Sequence, residues 1–359
     1  MKNIGSVEMH IEPFASTQAP KILLVKISSL GDVLHNLPIF WDLRARLPHA
    51  QIDWVVEEGY AHLLQPLLSR EGFRGIDRLI PFGLRRWKKN LFNLNTWKQF
   101  FAFRGMLQST SYDILIETQG LLKSALVCAL AKKSPHAVVA GLANATEFSG
   151  YEPLARFFYN HLVQVPLQCH AVDRSRWVMC SALGWPRLER SNMPQFYPQA
   201  FVDNIARVTI EGLKTPYVLC FHSTAREAKR WDSAHWVTLA QALAARGYQI
   251  VFPWGNTHEK AVSSFLSEQV SGSLVPSAFS IEEAFSVIAG AALTIGVDTG
   301  LTHLAAVLDK PTIEIYCDSP LWKTEGYWSS RICNLGDINQ PPSVQEVLTA
   351  ALRLLEQSN

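Results

Sequence analysis

Short β-branched runs alternate with segments of helical periodicity along this chain, and this alternation limits its possible folds more than any other feature. In the N-terminal half the predicted strands are 21–27, 51–56, 79–81 and 112–117, and the predicted helices are 33–47 and 97–108. Strands that are separated by helices are joined by parallel crossovers. The pattern therefore predicts an α/β fold built on a parallel sheet.

A second series of the same kind follows a stretch that prolines interrupt. Its predicted strands are 217–221, 249–252, 293–297 and 312–316, and its predicted helices are 233–246, 258–267, 281–289 and 301–308. A chain of 359 residues is long enough for two domains, each with its own core. We therefore expect two facing Rossmann-like domains with a central cleft.

The predicted domain organisation has five parts. They are a flexible tail (1–20), an N-terminal Rossmann-like domain (21–190), a linker (191–216), a C-terminal Rossmann-like domain (217–340) and a final helix (341–359). The first 20 residues contain acids and lack the continuous apolar run of a secretion signal. The apolar spacing in residues 344–355 predicts a helix, which we expect to pack back toward the N-terminal domain.

Composition narrows the class of protein. The formal net charge is only +2, so no global field favours nucleic acid as a partner. The six cysteines show no CxxC or zinc-site spacing, as expected for buried thiols in a reducing compartment. The longest apolar stretch, 284–297, is shorter than the ~20 residues of a membrane span. We expect a cytoplasmic protein without a bound metal.

Asp32 lies where the first predicted strand passes through a Gly-containing turn into a helix. Open α/β folds place their ligands at this carboxyl edge of a parallel sheet. A carboxylate at the positive end of a helix is a candidate base or ligand contact.

The C-terminal half has a comparable cluster at its strand ends. Asp298, Thr299 and Gly300 directly follow an apolar strand and begin a helix that contains His303. Such a helix start offers N–H groups to a phosphate. A second strand end supplies polar residues that suit a diphosphate: His222, Ser223, Thr224, Arg226, Lys229 and Arg230. A third strand end, near Glu259, could hold a nucleoside through its ribose hydroxyls.

Each of these residues also has a purely structural interpretation. Asp298 or Thr299 could cap a helix, which is worth about 1 kcal/mol. Lys229 and Arg230 could be solvated surface charges. Glu57 and Glu58 could be favourable acids in a first helical turn. The histidines His35, His222, His258 and His303 could each be structural.

A local basic patch covers residues 85–89, where four cations surround Trp87. Guanidinium groups bind phosphate and carboxylate through two parallel hydrogen bonds, so the patch could bind an acidic acceptor. Alternatively, it is a solvated face that Trp87 anchors.

Five segments, 22–35, 54–58, 85–89, 119–124 and 297–304, closely resemble the heptosyltransferases of glycosyltransferase family 9. The resemblance extends from residue 21 to the C-terminus. It implies a GT-B fold, an ADP-activated L-glycero-D-manno-heptose donor in the C-terminal domain, and a Kdo-modified lipid A acceptor in the N-terminal domain. The segments around Trp54 and 85–89 look more like the enzymes that add the first heptose of the lipopolysaccharide inner core than those that add the second.

The resemblance also implies individual roles. Asp32 matches the base that deprotonates the acceptor hydroxyl during an inverting attack, and Lys229 matches the lysine that contacts the diphosphate. The remaining donor contacts implied are Thr224, Glu259, Asp298, Thr299, Gly300 and His303. The acceptor contacts implied are Ser29, Gly31, Glu58, Arg85, Arg86, Lys88 and Lys123. Tyr151 departs from the enterobacterial form of the family, which has an arginine before the corresponding Glu-Pro-Leu-Ala. This difference puts one acceptor contact in question.

The implied chemistry sets further expectations. The chain contains no Asp-x-Asp pair to hold a divalent ion on the diphosphate, which favours a metal-independent reaction without a cofactor. A carboxylate with an ordinary pKa of about 3.9 is a weak base for a sugar hydroxyl. Either proton transfer is late, or partial burial raises the pKa of Asp32. We also expect a monomer with peripheral contact at the cytoplasmic face of the inner membrane.

Three other functions stay open at this point. A nicotinamide oxidoreductase also uses Rossmann domains, but neither first-strand turn shows G-x-G-x-x-G. A non-catalytic module could bind an ADP-sugar or lipid A without turnover. A family 9 glycosyltransferase with a different acceptor or ADP-sugar is the nearest alternative.

Overall fold

The computed structural model describes residues 19–90, 92–224 and 226–357, and the chain divides into two compact units between Gln195 and Phe196. The predicted tail lies almost entirely outside the described residues. The division falls inside the predicted linker, 191–216. Among the described residues, no helix combines the length and the apolar character needed to span a membrane.

The first unit is built on one parallel sheet of six strands in the order β3-β2-β1-β4-β5-β6. Its strands are β1 (Lys21–Val25), β2 (Gln51–Glu57), β3 (Arg78–Phe82), β4 (Tyr112–Glu117), β5 (Lys133–Leu142) and β6 (His161–Val163). Its helices are α1 (Leu30–Leu34), α2 (Leu37–Arg46), α3 (Ala61–Leu64), α4 (Leu84–Lys89), α5 (Leu94–Gln108), α6 (Leu122–Leu130) and α7 (Ala171–Ala182). This is the strand order of a Rossmann domain.

The apolar runs of the central strands form the core of this unit because helices cover both faces of a parallel sheet. Leu23, Val25 and Leu115 belong to one buried cluster together with Phe103 and Leu107 of α5. The predicted helix 33–47 is in fact two helices, α1 and α2. The break at His35 and Asn36 precedes Pro38, which stands in the first turn of α2, where its missing N–H costs nothing.

The second unit is built on a parallel sheet of five strands in the order β11-β10-β9-β7-β8. Its strands are β7 (Tyr217–Phe221), β8 (Gln249–Val251), β9 (Leu293–Val297), β10 (Thr312–Tyr316) and β11 (Ile332–Gly336). Its helices are α8 (Gln199–Asp203), α9 (Ser233–Ala244), α10 (Thr257–Glu268), α11 (Ile281–Gly290), α12 (Gly300–Val307), α13 (Leu321–Thr324) and α14 (Val344–Glu356). Counted from β7, this is the other common doubly wound order, in which the first and third strands are neighbours.

Two segments pack differently from the sequence-based expectation. The apolar face of α14 is buried in the core of its own unit, where Val347, Ala351 and Leu354 join the cluster around β9 and β10. The face expected to contact the N-terminal domain therefore covers the second sheet, whose apolar strands need a helix on each side. Part of the predicted linker also packs on this unit. Phe196 contacts Trp328 with ring centroids 4.5 Å apart, and Tyr197 contacts Phe285 with ring centroids 5.4 Å apart.

Candidate functional site

The first unit carries its candidate residues where β1 and β4 lie side by side. After β1 the chain continues to β2 on one side of the sheet, and after β4 it continues to β5 on the other side. The loops after β1 and β4 therefore diverge and leave a crevice between them. Open α/β sheets bind their ligands at such a crevice. Asp32 follows β1, and Lys123 follows β4. The structure brings the two loops together, because Lys123 Nζ donates a hydrogen bond to Ser28 Oγ at 2.7 Å.

Asp32 occupies the third position of α1 and caps its own helix. Its Oδ2 accepts hydrogen bonds from the backbone N–H of Ser29 at 3.0 Å and from Ser29 Oγ at 2.9 Å. The structure therefore gives Asp32 and Ser29 a structural task that does not depend on any ligand. The side chain of Asp32 nevertheless stays 40% exposed.

Two cations face the other oxygen of Asp32. Lys26 Nζ lies 3.5 Å and an Arg174 guanidinium nitrogen lies 3.8 Å from Oδ1. Burial alone would raise the pKa of Asp32, but Lys26, Arg174 and the Ser29 hydrogen bonds outweigh burial and hold the pKa well below its ordinary value. Of the two alternatives that the sequence left open, a pKa raised by partial burial is wrong, and Asp32 is ionised at neutral pH.

Lys26 and Arg174 are functional candidates that sequence reasoning missed. Lys26 is buried, and burial lowers its pKa to about 8 although Asp32 acts in the opposite direction. Its Nζ also donates to the carbonyl of Thr118 at 3.2 Å. A lysine at the end of an apolar strand was a signal for a buried charge that needs a partner. Arg174 comes from α7, far along the chain, and no local pattern pointed to it.

The loop after β4 is held rigidly against the loop after β1. Gln119 accepts from the N–H of Ile27 at 3.0 Å and donates to the carbonyl of Ser28 at 2.8 Å. Gly120 has φ of +74°, a conformation that favours glycine, and its N–H donates to the buried Glu117 carboxylate. Burial lowers the pKa of Lys123 within this arrangement.

The basic patch on α4 is partly neutralised by acids. Arg86 binds Glu58 with two hydrogen bonds of 3.0 and 2.8 Å, and this pairing lowers the pKa of Glu58. Arg85 Nε lies 2.6 Å from Glu57 Oε1. Two predicted acceptor contacts, Glu58 and Arg86, thus bind each other.

Other members of the patch region differ in their surroundings. Lys88 is exposed, whereas Trp87 is buried edge-on against Phe82 with ring centroids 5.5 Å apart. Tyr151, the departure from the family pattern, donates its hydroxyl to the carbonyl of Ala143 at 2.9 Å. Gly31 lies in α1 beside Asp32.

The second unit carries its candidates at the equivalent position, where β7 and β9 lie side by side. Thr224 follows β7 and contacts the Asp298 carbonyl, which follows β9, at 3.5 Å. Lys229 forms a close ion pair with the Asp298 carboxylate. Lys229 remains 16% exposed, so its ammonium group lies at the boundary between this buried pair and solvent.

A chain of alternating charges runs inward from Lys229. His303 Nε2 lies 3.0 Å from Asp298 Oδ1, and His303 Nδ1 lies 2.7 Å from Glu314 Oε1. Burial disfavours the charged imidazole, but Glu314 and Asp298 outweigh it and raise the pKa of His303 to about 10. Hydrogen bonds and charges from His303 and Lys229 also outweigh burial and keep the pKa of Asp298 well below its ordinary range. His303 is therefore a buried cation that holds Asp298 in place.

The remaining donor candidates lie at neighbouring strand ends. Thr299 caps α12, and Gly300 is its first residue, but the Thr299 side chain makes no capping hydrogen bond within the described chain. Glu259, in the first turn of α10 after β8, accepts a hydrogen bond from the N–H of Gly255 at 2.7 Å. The structure thus places all three strand ends at one edge of one sheet.

His222 is held by two serines in this region. Its Nε2 lies 2.8 Å from Ser263 Oγ, and its Nδ1 lies 2.9 Å from Ser223 Oγ. Burial, aided by Arg230, lowers the pKa of His222 to about 4, so the ring is neutral at pH 7. Among the described residues, no group of three or more His, Cys, Asp or Glu side chains is arranged to hold a metal ion.

Comparisons with known proteins identify the family. The profile of glycosyltransferase family 9 (heptosyltransferase) matches residues 100–351. Lipopolysaccharide heptosyltransferase 1 of Salmonella typhimurium is 36% identical over 296 residues, which cover 82% of this chain and 88% of the relative.

Solved structures agree with this match. The Escherichia coli heptosyltransferase WaaC with ADP has 32% sequence identity and a TM-score of 0.74, and the match covers 94% of this chain and 100% of WaaC. The same enzyme with ADP-2-deoxy-2-fluoro heptose has 33% identity and a TM-score of 0.71, with the same coverage. The predicted GT-B class, with two Rossmann-like domains, is confirmed. The chain belongs to glycosyltransferase family 9, the heptosyltransferases.

Proposed function

We propose that this protein transfers L-glycero-D-manno-heptose from ADP-heptose to Kdo of Kdo-lipid A, as heptosyltransferase I of the lipopolysaccharide inner core. The observation that carries the proposal is the similarity, over most of both chains, to lipopolysaccharide heptosyltransferase 1. The donor follows from the similar structure that contains ADP-2-deoxy-2-fluoro heptose.

The donor diphosphate is assigned to the edge of the second sheet at β7 and β9. Lys229 supplies a cation there, and Thr224 and Thr299 supply hydroxyl groups. The N–H groups at the start of α12 favour an anion. As the bond from the anomeric carbon to phosphate breaks, negative charge develops on ADP. Donors aimed at such charge are worth about 3–4 kcal/mol each in the transition state. We assign the ribose contact to Glu259.

The acceptor hydroxyl is assigned to the edge of the first sheet beside Asp32. The hydroxyl oxygen forms a bond to the anomeric carbon, the electron pair of the departing bond goes to ADP, and the hydroxyl proton goes to the Asp32 carboxylate. Because Lys26 and Arg174 lower the pKa of Asp32, this carboxylate is a weak base. Proton transfer is therefore late, when the attacking oxygen has already become acidic through bond formation.

We assign the binding of the acceptor's acidic groups to the cations near this edge of the first sheet. Lys123 lies beside the Asp32 turn, and Lys88 is exposed on α4. Arg85 is largely exposed despite its pairing with Glu57. Arg86 has a lesser role in this proposal, because Glu58 occupies its guanidinium group through two hydrogen bonds.

The proposal includes the setting of the reaction. The protein acts as a monomer in the cytoplasm, in peripheral contact with the inner membrane where the lipid acceptor lies. The reaction needs no metal, because Lys229 and the N–H groups at the start of α12 stabilise the negative charge that develops on ADP.

One experiment tests substrates and metal need together. Purified protein is mixed with ADP-heptose and Kdo-lipid A in excess chelator, and the lipid is examined by mass spectrometry. We expect a mass gain of one heptose. Parallel reactions with other ADP-sugars, and with an acceptor that already carries one heptose, test the alternative of a related family 9 transferase. Transfer only in those reactions, or only without chelator, would contradict the proposal.

A further inference from the structure

A large apolar groove lies on the first unit between α4, α5 and α6. Its volume is about 890 Å³, which falls in the range of about 300–1,000 Å³ typical of small-ligand sites. Its walls are mostly aromatic and aliphatic, with Trp87 and Phe100 on one side and Leu126 and Leu130 on the other. The heptose-transfer chemistry assigned to Asp32 and Lys229 does not use this groove.

The groove opens among apolar side chains that face solvent. Trp97 on α5 is 49% exposed and Leu126 on α6 is 44% exposed, and both line it. Phe92 and Leu94 are exposed just before Trp97 in the sequence. Exposed apolar side chains beside an apolar groove are typical of an interaction site.

The charges around the groove are mostly positive. Residues 78–112 contain seven arginines and lysines and no acid. Lys88 and Lys123 line the groove itself. Glu152 is the acid in its lining, and its carboxylate accepts a hydrogen bond from the N–H of Leu122 at the start of α6. An occupant with an apolar body and an anionic end complements these surroundings.

Lys123 connects the groove to the candidate acceptor site. Its Nζ donates to Ser28 Oγ in the loop that leads to Asp32, while its side chain also lines the groove. A molecule whose anionic headgroup lies beside Asp32 can therefore place an attached hydrocarbon chain in the groove.

We propose that this groove binds one acyl chain of the lipid acceptor, with Lys88 and Lys123 contacting anionic groups of its headgroup. The inference rests on the lipid acceptor of the proposed function and adds a binding site for the hydrocarbon part of that acceptor. A second copy of the chain is a poorer occupant, because it would bring another cation-rich surface against this one.

Dodecyl phosphate, used below its critical micelle concentration, tests the groove without any turnover. Binding is followed by calorimetry and by the fluorescence of the groove tryptophans. We expect saturable binding of dodecyl phosphate, and binding of inorganic phosphate at least tenfold weaker. Equal affinity for the two probes would overturn the proposal.

A pair of variants locates the binding site. Leu126→Gln places a polar group in the groove wall, and we expect it to weaken dodecyl phosphate binding about tenfold, or about 1.4 kcal/mol. Phe101→Gln is the matched control, since Phe101 is 57% exposed on α5 and does not line the groove. It should bind like the wild type. Equal weakening in both variants indicates adsorption to the exposed aromatic surface and overturns the proposal. A change in oligomeric state of Leu126→Gln in light scattering would indicate a second copy instead.

Kinetics separate this inference from the proposed function. Heptose transfer is compared between Kdo-lipid A and the same acceptor stripped of its acyl chains. We expect the wild type to prefer the acylated acceptor at least tenfold in kcat/KM, and Leu126→Gln to lose this preference with unchanged kcat/KM on the stripped acceptor. If the wild type uses both acceptors equally, the groove proposal fails while the proposed function stands. If neither acceptor receives heptose, the proposed function fails, and the dodecyl phosphate result still tests the groove.

Discussion

At the scale of single residues, Asp32 shows how one carboxylate can be both a structural cap and a candidate base. One oxygen accepts two hydrogen bonds from Ser29, and the other faces Lys26 and Arg174. The cap holds the carboxylate in a single orientation, and the cations keep it ionised. As the proposed base, Asp32 is ionised at neutral pH but weakly basic, so we expect its catalytic contribution to depend on position more than on basicity.

Replacing Asp32 with asparagine tests the base role. An amide oxygen can still accept from Ser29, so Asp32→Asn should fold and bind ADP like the wild type. Because the amide cannot take the acceptor proton, we expect turnover to fall by roughly 10²–10⁴-fold. Steady-state kinetics and ADP titration measure the two effects. Turnover close to that of the wild type would contradict the base role and would mean that Asp32 only caps α1.

Arg174→Gln tests the base role of Asp32 through the pH dependence of kcat/KM. If Asp32 only caps its helix, this substitution should leave the pH profile unchanged. The folded-state pKa of Asp32 is depressed, so protonation inactivates the wild type only at acidic pH, below the ordinary range of carboxylates. Removing Arg174 should let the pKa of Asp32 rise. The acid limb of the pH profile of kcat/KM should then move to higher pH. An unmoved limb would contradict the assignment.

His303 gives a second prediction at the residue scale, on stability. Its folded-state pKa is raised to about 10 from an ordinary value near 6.5, so its ion pairs stabilise the fold fully below pH 6.5 and progressively less as pH rises toward 10. His303→Gln leaves Glu314 buried without its cation, which should cost about 3–5 kcal/mol at pH 7. Denaturant unfolding measures this loss.

The pH dependence distinguishes the charge of His303 from its packing. The stability difference between wild type and His303→Gln should shrink between pH 6.5 and 10. The exposed His258, substituted in the same way, is the matched control and should show no such trend. A difference that is constant with pH would mean that His303 is uncharged in the folded protein.

At the scale of elements, helical periodicity predicted which segments form helices but not what their apolar faces contact. The pattern of α14 correctly indicated an amphipathic helix, and its capping box at Ser343 and Glu346 agrees with the observed start. Its apolar face belongs to the second unit's core. The α1–α2 break was missed because Pro38 is compatible with a first turn and the apolar spacing continues across it.

Leu354→Ala tests the placement of α14. Leu354 is fully buried in the second unit's core, so we expect a loss of about 2–5 kcal/mol in the free energy of unfolding. Gln345→Ala on the exposed face of the same helix is the control and should change stability little. Unfolding curves in denaturant provide the comparison. Unchanged stability of Leu354→Ala would show that the face is not part of this core.

At the scale of the whole molecule, the two units use different strand orders yet present their candidate residues at equivalent positions. In each sheet the residues follow two neighbouring strands whose connections diverge, β1 with β4 and β7 with β9. The net charge of the chain is only +2, so attraction to an anionic surface has to come from a local segment. For the proposed membrane contact, residues 78–112 are the candidate segment, because they contain seven cations and no acid.

Binding to lipid vesicles tests the membrane contact. We expect the full chain to cosediment with vesicles of anionic lipid, and to be released between about 0.1 and 1 M salt, where the Debye length falls from about 10 to 3 Å. Neutralising Lys88 and Lys89 with glutamine should weaken binding by roughly thirtyfold, at about 1 kcal/mol per charge. The same change at the exposed Lys132 and Lys214 is the control. Equal loss from both pairs would argue against a local patch.

The sequence by itself determined the class of fold, the number of units and the place of the candidate residues at strand ends. These features follow from local periodicity, turn residues and ordered motifs. Such signals can be read from short segments without knowing which other segments they contact. Only the tertiary structure decided the chemical state of those residues. The pKa of Asp32 depends on Arg174, 142 positions away, and Glu58 is paired by Arg86 on another element. A pKa or an ion pair depends on distances between charges from separate segments, and those distances exist only once the sheet has brought the segments together.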